Sequence, residues 1–239
     1  MNQDCQKGFS LIELLVVLAI SSIVMTALYS AYHSQHRSYL IQEQVAALQQ
    51  NLRSARLILE KDLRMAGYDP LPDTAPDPGV ANSDADTLIF SFYATTDGVD
   101  NDNDGTTDEV GELSTIRYDL YDALGDGDDE LGRAADGGNR QAIAQNIDAI
   151  NFIYLDNGNN VIDHSDGWTQ AERDAIRSVE ITIVAKADRE DRDYTDTRVY
   201  RNQQDEDGDG NLDVVLAAQN DQFRRQALTF QVHCRNLEL

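Results

Sequence analysis

Cysteine, proline, histidine and tryptophan are all scarce in this chain of 239 residues. Two cysteines, Cys5 and Cys234, are too few for a disulfide framework. The four prolines, Pro70, Pro72, Pro76 and Pro78, fall in one short stretch, so nothing before Pro70 interrupts a helix. The four histidines, His33, His36, His164 and His233, are scattered, and none stands at zinc-ligand spacing from a cysteine. There is no Gly-x-Ser-x-Gly elbow, phosphate loop or dinucleotide fingerprint, and catalysis is not expected. In so acidic a chain a glycosidase-like carboxylate pair would arise by chance, and the single tryptophan, Trp168, reads as a core or turn anchor.

Positive charge is the last shortage. Lysine and arginine number 19 against 43 acids, a net charge of −24. Residues 1–67 are nearly neutral, with 5 acids and 6 bases, so the remainder holds 38 acids and 13 bases, or −25. Such a surface repels nucleic-acid phosphates and anionic lipid heads and attracts cations. A nucleic-acid partner is therefore not expected.

What the chain does have is one long apolar run. A polar leader ends at Lys7-Gly8, and Phe9-Ser10-Leu11-Ile12-Glu13-Leu14-Leu15-Val16-Val17-Leu18 opens a stretch that continues to about Ala31. A helix needs roughly 20 apolar residues to cross a hydrocarbon core, and this run suffices. Glu13 is its only charged side chain. A carboxylate in that setting costs a few kcal/mol and calls for a partner. Cleavage after Gly8 would create one, an α-amino group about one turn away. An ordinary secretory signal would have a shorter apolar region, no internal acid and a small-residue cleavage site after it. A plain single-span anchor leaves Glu13 unexplained.

The Gly8–Leu18 sequence resembles the class III signal of type IV prepilins and type II secretion pseudopilins. That resemblance implies a membrane prepilin peptidase cutting between Gly8 and Phe9, N-methylation of Phe9, and a role for Glu13 in docking the subunit among other pilins. It covers only about the first 30 residues. Removal of residues 1–8 would take Cys5 and leave Cys234 alone, without an intramolecular disulfide. Many pilins close a C-terminal loop with a disulfide and carry a proline inside the membrane half of the helix; here Ser30 lies near that place. Cys234 follows Leu228, Phe230 and Val232 in an alternating strand and reads as a small core residue, with an intermolecular bridge as the alternative.

The helical pattern outlasts the apolar run. Ile41, Val45, Leu48, Leu52, Ala55, Leu59 and Leu63 recur at spacings of three and four and mark one stripe. The spacing predicts a single helix from Phe9 to about Ala66, roughly 87 Å long, with Gly67 as its stop. Its close, Arg64-Met65-Ala66-Gly67-Tyr68, is similar to the end of the first helix in PilW-type minor pilins.

Beyond a proline-rich loop, alternation predicts half-buried strands at 87–95, 113–124, 150–155, 178–187 and 227–234, with a short edge at 198–201. Residues 141–149 read equally as a short helix or a strand. An antiparallel sheet on the amphipathic half of the helix would bury both stripes. The expected class is thus α+β and pilin-like: a leader at 1–8, a membrane or filament-core helix at 9–31, its amphipathic continuation at 32–67 and an acidic β-rich head at 68–239.

Two loops share the spacing D-x-D-x-D-G-x-x-D: Asp100, Asp102, Asp104 and Asp108, then Asp205, Asp207, Asp209 and Asp213. Alternate carboxylates on a tight loop can converge on one centre, and hard oxygen ligands in that number suit Ca²⁺. The pattern is similar to EF-hand, dockerin and thrombospondin type 3 loops. It departs from the EF-hand at the twelfth position, occupied by Gly111 and Leu216; Glu112 falls one residue late. One or two calcium ions are expected, weighed against the alternative that Asp, Asn and Gly are merely turn residues. The acidic runs at Asp122–Glu130 and Asp156–Asp163 are weaker candidates, the second reading as a turn between strands.

The resemblance implies an inner-membrane protein with a periplasmic head, handled by the peptidase and an inner-membrane assembly platform and then carried into a pilus at the cell surface. A minor pilin that primes or tips the filament is the leading expectation. A J-like type II secretion pseudopilin and a calcium-dependent adhesive module on a pilin stem are the alternatives.

Overall fold

The computed structural model describes residues 9–70, 77–81, 83–94, 98, 100, 105–107, 112–163, 167–205 and 208–238. The chain divides into two compact units, Met1–Gln44 and Val45–Leu239. Helix α1, Leu11–Leu63, belongs to both. In the first unit its apolar window, of mean hydropathy 2.5, is wholly exposed, and this is one helix long and apolar enough to cross a membrane. The polar side chains there satisfy themselves locally: Ser22 Oγ donates to the Ala19 carbonyl at 2.8 Å and Thr26 Oγ1 to that of Ser22 at 2.8 Å.

In the second unit α1 buries Leu48, Leu52, Ala55, Leu59 and Leu63, the last five residues of the predicted stripe. Asp62 lies in the same stretch of the helix. It accepts hydrogen bonds from Tyr118 Oη at 2.7 Å and Arg133 Nε at 2.6 Å, fastening the helix to the sheet. Burial beside that carboxylate raises the Tyr118 pKa well above its ordinary value. The regular helix ends at Leu63 rather than Ala66, because Met65 and Ala66 bond three residues back, to Asp62 and Leu63, and tighten the last turn. Gly67 then takes φ +74° and turns its N–H to the Ser91 carbonyl at 3.0 Å.

Among the described residues the head holds two main sheets and a ribbon instead of one sheet. Strands β1 (Leu88–Tyr93), β2 (Leu113–Tyr121), β3 (Glu130–Ala135) and β4 (Gln141–Ala144) form an antiparallel meander in that order. At Asn146, φ +52°, the chain turns into β5 (Ile147–Leu155), which pairs with β6 (Ser178–Glu190), itself paired with β9 (Phe223–His233). Residues 141–149 are therefore strand, split by that turn. The predicted edge shrinks to β7 (Tyr200–Arg201), paired with β8 (Val214–Leu216). Strand β3 was not predicted, since Glu-Leu-Gly-Arg-Ala-Ala has neither alternation nor β-branched residues. Its Gly132 lies under the Tyr121 ring, where a Cβ would approach Cδ1 to 2.7 Å. A short helix α2 (Gln170–Ala175) links β5 to β6, started by a Thr169–Glu172 capping box that was also unforeseen.

One core joins these layers. Leu59, Leu63, Phe90, Tyr118, Phe152, Ile181 and Cys234 are all among its buried residues. Cys234 sits just past β9, fully buried, and burial pushes its thiol pKa up to about 12. Trp168 anchors a turn as expected: its Nε1 donates to the Ser83 carbonyl at 2.5 Å and its ring meets Tyr154 edge-on at 5.0 Å. In place of a disulfide, Arg225 ties the last strand to its surroundings. It binds Asp221 through two nitrogens at 2.6 Å each, Asp148 at 2.5 Å and Asp196 at 3.5 Å. Asp196 also accepts from Tyr200, Tyr194 and Arg198 at 2.7, 3.2 and 3.0 Å.

Candidate functional site

The N-terminal site is built on the first turn of α1. The opening N–H groups of a helix have no intrahelical acceptor, and a Ser-x-x-Glu sequence can supply two. Here it does. The Ser10 N–H donates to Glu13 Oε2 at 3.0 Å, and the Glu13 N–H donates to Ser10 Oγ at 3.3 Å. The Glu13 carboxylate thus lies at the positive end of its own helix, where negative charge is favoured. Phe9 precedes it, 89 % exposed. Gly8, the other side of the expected cleavage, is outside the described residues. The sequence reading singled out Glu13 for its isolation in the apolar run and passed over Ser10, although the spacing that pairs them was visible.

The two aspartate loops are described unequally. In the first, Asp102, Asp104 and Asp108 are outside the described residues. Asp100 Oδ2 accepts the Gly105 N–H at 2.9 Å, and Gly105 takes φ +102°. Glu112, at the foot of β2, is fully buried. Of the second loop's four aspartates only Asp207 is outside. Asp205 accepts from the N–H groups of Asp209 at 3.1 Å and Gly210 at 2.9 Å, with Gly210 at φ +84°. Both loops therefore make the same contact, from the first carboxylate to the glycine five residues on. The foot of the second loop is clamped: Asn202 Oδ1 accepts from Gln204 and Asp213, while buried Glu180 holds the Gln203 N–H at 3.0 Å and Gln204 Nε2 at 2.9 Å. Among the described residues no three His, Cys, Asp or Glu side chains are gathered to hold a metal, so Asp205, Asp209 and Asp213 do not converge on one point here.

In the weaker acidic runs Asp122, Asp128, Glu130 and Asp156 have partners close by. Asp122 accepts from Gly125, Asp126 and Gly127 at 2.6, 3.2 and 3.1 Å, and these N–H groups, Gly127 first, hold its carboxyl below the usual range. Asp128 pairs with Lys186, and Glu130 accepts the Ala123 N–H at 2.7 Å. Asp156 closes its turn on Asn160 and Gly158, and the Asn160 side chain leads in lowering its pKa. An open polar recess of about 410 Å³ beside it is lined by Arg177, Gln231 and His233 among others. His233 Nδ1 there lies 2.7 Å from the Arg177 carbonyl, so that ring nitrogen is committed to the backbone.

Comparison with known families now bears on the first of these sites. Residues 4–29 match the model described as the prokaryotic N-terminal methylation motif. This is the segment that holds Gly8, Phe9, Ser10 and Glu13. A search of curated proteins gives no match. Among solved structures the chain is similar to a type IV-like pilin from Thermus thermophilus, at 15 % identity and a TM-score of 0.48, covering 80 % of this chain and 98 % of that one. The methylation motif thus spans the capped first turn and most of the apolar run, and the head lies wholly outside it.

Proposed function

We propose that this chain is a minor pilin of the PilW type, cut between Gly8 and Phe9, methylated on Phe9 and carried into a type IV pilus. One observation carries the reading: a methylation motif opens an exposed apolar run whose one acid, Glu13, is pinned to the first turn of its own helix. An exposed apolar helix of this length is stable only in lipid or against other such helices. Before assembly Glu13 is partly compensated by Ser10. On docking, its free lone pairs meet the N-terminal amine of a neighbouring subunit and fix the axial register. Other pilins, the peptidase and the inner-membrane platform are the partners this requires, with the head in the periplasm until assembly.

Calcium belongs to the same proposal. Asp205, Asp207, Asp209 and Asp213 would hold one ion and Asp100, Asp102, Asp104, Asp108 and Glu112 a second. The shared Asp-to-Gly contact and the clamped foot of the second loop support this, since both shape the loop before an ion arrives. The ion would supply the cross-link that the absent disulfide does not.

A deletion strain scored for surface pili and for secretion of folded exoproteins tests the reading. Loss of pili with secretion intact is the expected result, and the opposite makes the protein a pseudopilin. Glu13→Ala is expected to leave the precursor in the membrane yet abolish its incorporation; normal incorporation would refute the register role.

A further inference from the structure

The exposed face of α1 in the second unit is basic, in a chain that is otherwise strongly acidic. Arg53, Arg56, Lys61 and Arg64 lie outside the buried stripe of Leu52, Ala55, Leu59 and Leu63 and, by helical spacing, share one side of the helix. Among them stands Leu57, 70 % exposed, with Met65 and Tyr68 beyond it, each 40 % exposed. Arg56 and Arg64 share Glu60, at 2.6 and 3.8 Å. Among the described residues, no carboxylate pairs with Arg53 or Lys61. An apolar side chain ringed by cations is suited to an acidic surface that carries an apolar knob of its own.

The chain supplies such a surface. The β2–β3 loop, Asp122–Asp129, holds four aspartates and no base, and Leu124 projects from it, 71 % exposed. Lys186 occupies Asp128, which leaves Asp122, Asp126 and Asp129 exposed. We propose that this loop of one copy docks on the Arg53–Arg64 face of α1 in a second copy, Leu124 against Leu57, with Asp126 and Asp129 among the cations. The two surfaces differ, so the contact is heterologous and pairs two copies without a two-fold axis. Opposite charges set its register and suppress like-charged approaches of head to head. The proposal rests on the membrane-anchored precursor of the reading above, which holds copies of the chain in one plane.

Cross-linking in the full chain tests it. With Cys5→Ser introduced, the remaining cysteine, Cys234, is buried and leaves a quiet background. Two differently tagged copies are co-expressed, one carrying Leu57→Cys and the other Leu124→Cys. Oxidation of membranes is expected to yield the mixed dimer. Its yield should fall about tenfold with Arg53→Glu/Lys61→Glu or with Asp126→Lys/Asp129→Lys, and recover when the two reversals face each other. Val16→Cys reports helix association independently. Absence of the Leu57–Leu124 cross-link overturns this contact whatever Val16 shows; the assembly reading is decided separately, by incorporation of Glu13→Ala. A lipid surface is the rival occupant of the basic face. An environment-sensitive dye on Leu57→Cys that responds to anionic lipid in vesicles, and not to a second copy, would also overturn the proposal.

Discussion

At the scale of single residues, two positions near the ends of α1 set its limits by different means. Ser10 and Glu13 start it by exchanging hydrogen bonds, so that the only charge in the apolar run also neutralises the helix end. Gly67 stops it. With φ +74° it occupies a region that costs an L-residue about 1 kcal/mol or more. Space is short as well: a Cβ at Gly67 would lie 2.3 Å from Leu237 Cδ2 and 3.3 Å from the Asn236 carbonyl carbon. The same Asn236 caps the helix by donating to the Arg64 carbonyl at 2.9 Å. Gly67→Ala is therefore expected to destabilise the head by about 2–3 kcal/mol, strain and displaced packing together. Urea denaturation of the full chain in detergent would show it, and an unchanged midpoint would mean that the C-terminal turn yields freely. The glycine stop was legible in sequence; its pressure on Leu237 was not, because nothing local pairs residue 67 with residue 237.

At the scale of elements, what could be read depended on how far each pattern reached. Helix α1 was clear because its stripe repeats over five buried positions and no proline interrupts it. Strands β2, β5, β6 and β9 showed alternation or β-branched runs. Strand β3 did not, since its place is set by pairing with β2 from Ile116↔Ala135 to Tyr121↔Glu130, a tertiary condition. The division into two sheets was equally hidden, because it depends on one residue, Asn146, taking a left-handed turn. The aspartate loops are elements in the same sense, short segments whose spacing is legible while their convergence is not. Without an ion Asp205 spends its carboxylate on two backbone N–H groups. Calcium binding to the folded state alone should raise stability by about 2.7 kcal/mol at a hundred times the dissociation constant. A rise in melting temperature with millimolar calcium, roughly halved by Asp205→Ala/Asp209→Ala, is the expected outcome, with magnesium giving less. A melting temperature indifferent to calcium would return both loops to ordinary turns.

At the scale of the whole molecule, the chain combines a surplus of negative charge with a buried cationic centre. Arg225 is 3 % exposed at its side chain and faces Asp148, Asp196 and Asp221. For Asp221 the Arg225 hydrogen bonds come first in holding the carboxyl below its ordinary 3.8. For Asp196 burial acts in the opposite direction, but the hydrogen bonds from Tyr200 and Arg198 outweigh it and leave the pKa lowered. Both folded values lie below the unfolded one. Their stabilisation is thus fully present above pH 3.8 and is lost as pH falls through the depressed folded values. The surface charge works the other way. Self-repulsion among the acidic loops is strongest at neutral pH and fades towards pH 4.2, where the chain carries no net charge. Stability measured in calcium-free buffer is therefore expected to rise as pH drops from 7 towards 4.2, then to collapse below 3.8. Arg225→Ala separates the two effects. It removes the buried cation while Asp196 keeps Arg198 and Asp148 keeps Lys186, and should cost about 3 kcal/mol at neutral pH. It should also flatten the acid limb, since the carboxylates it no longer binds have less to lose on protonation. Urea midpoints across that pH range, for both proteins in the same detergent, decide the matter. An acid limb as steep in Arg225→Ala as in the parent would place the acid-labile charges elsewhere and remove this network from the role a disulfide would otherwise fill.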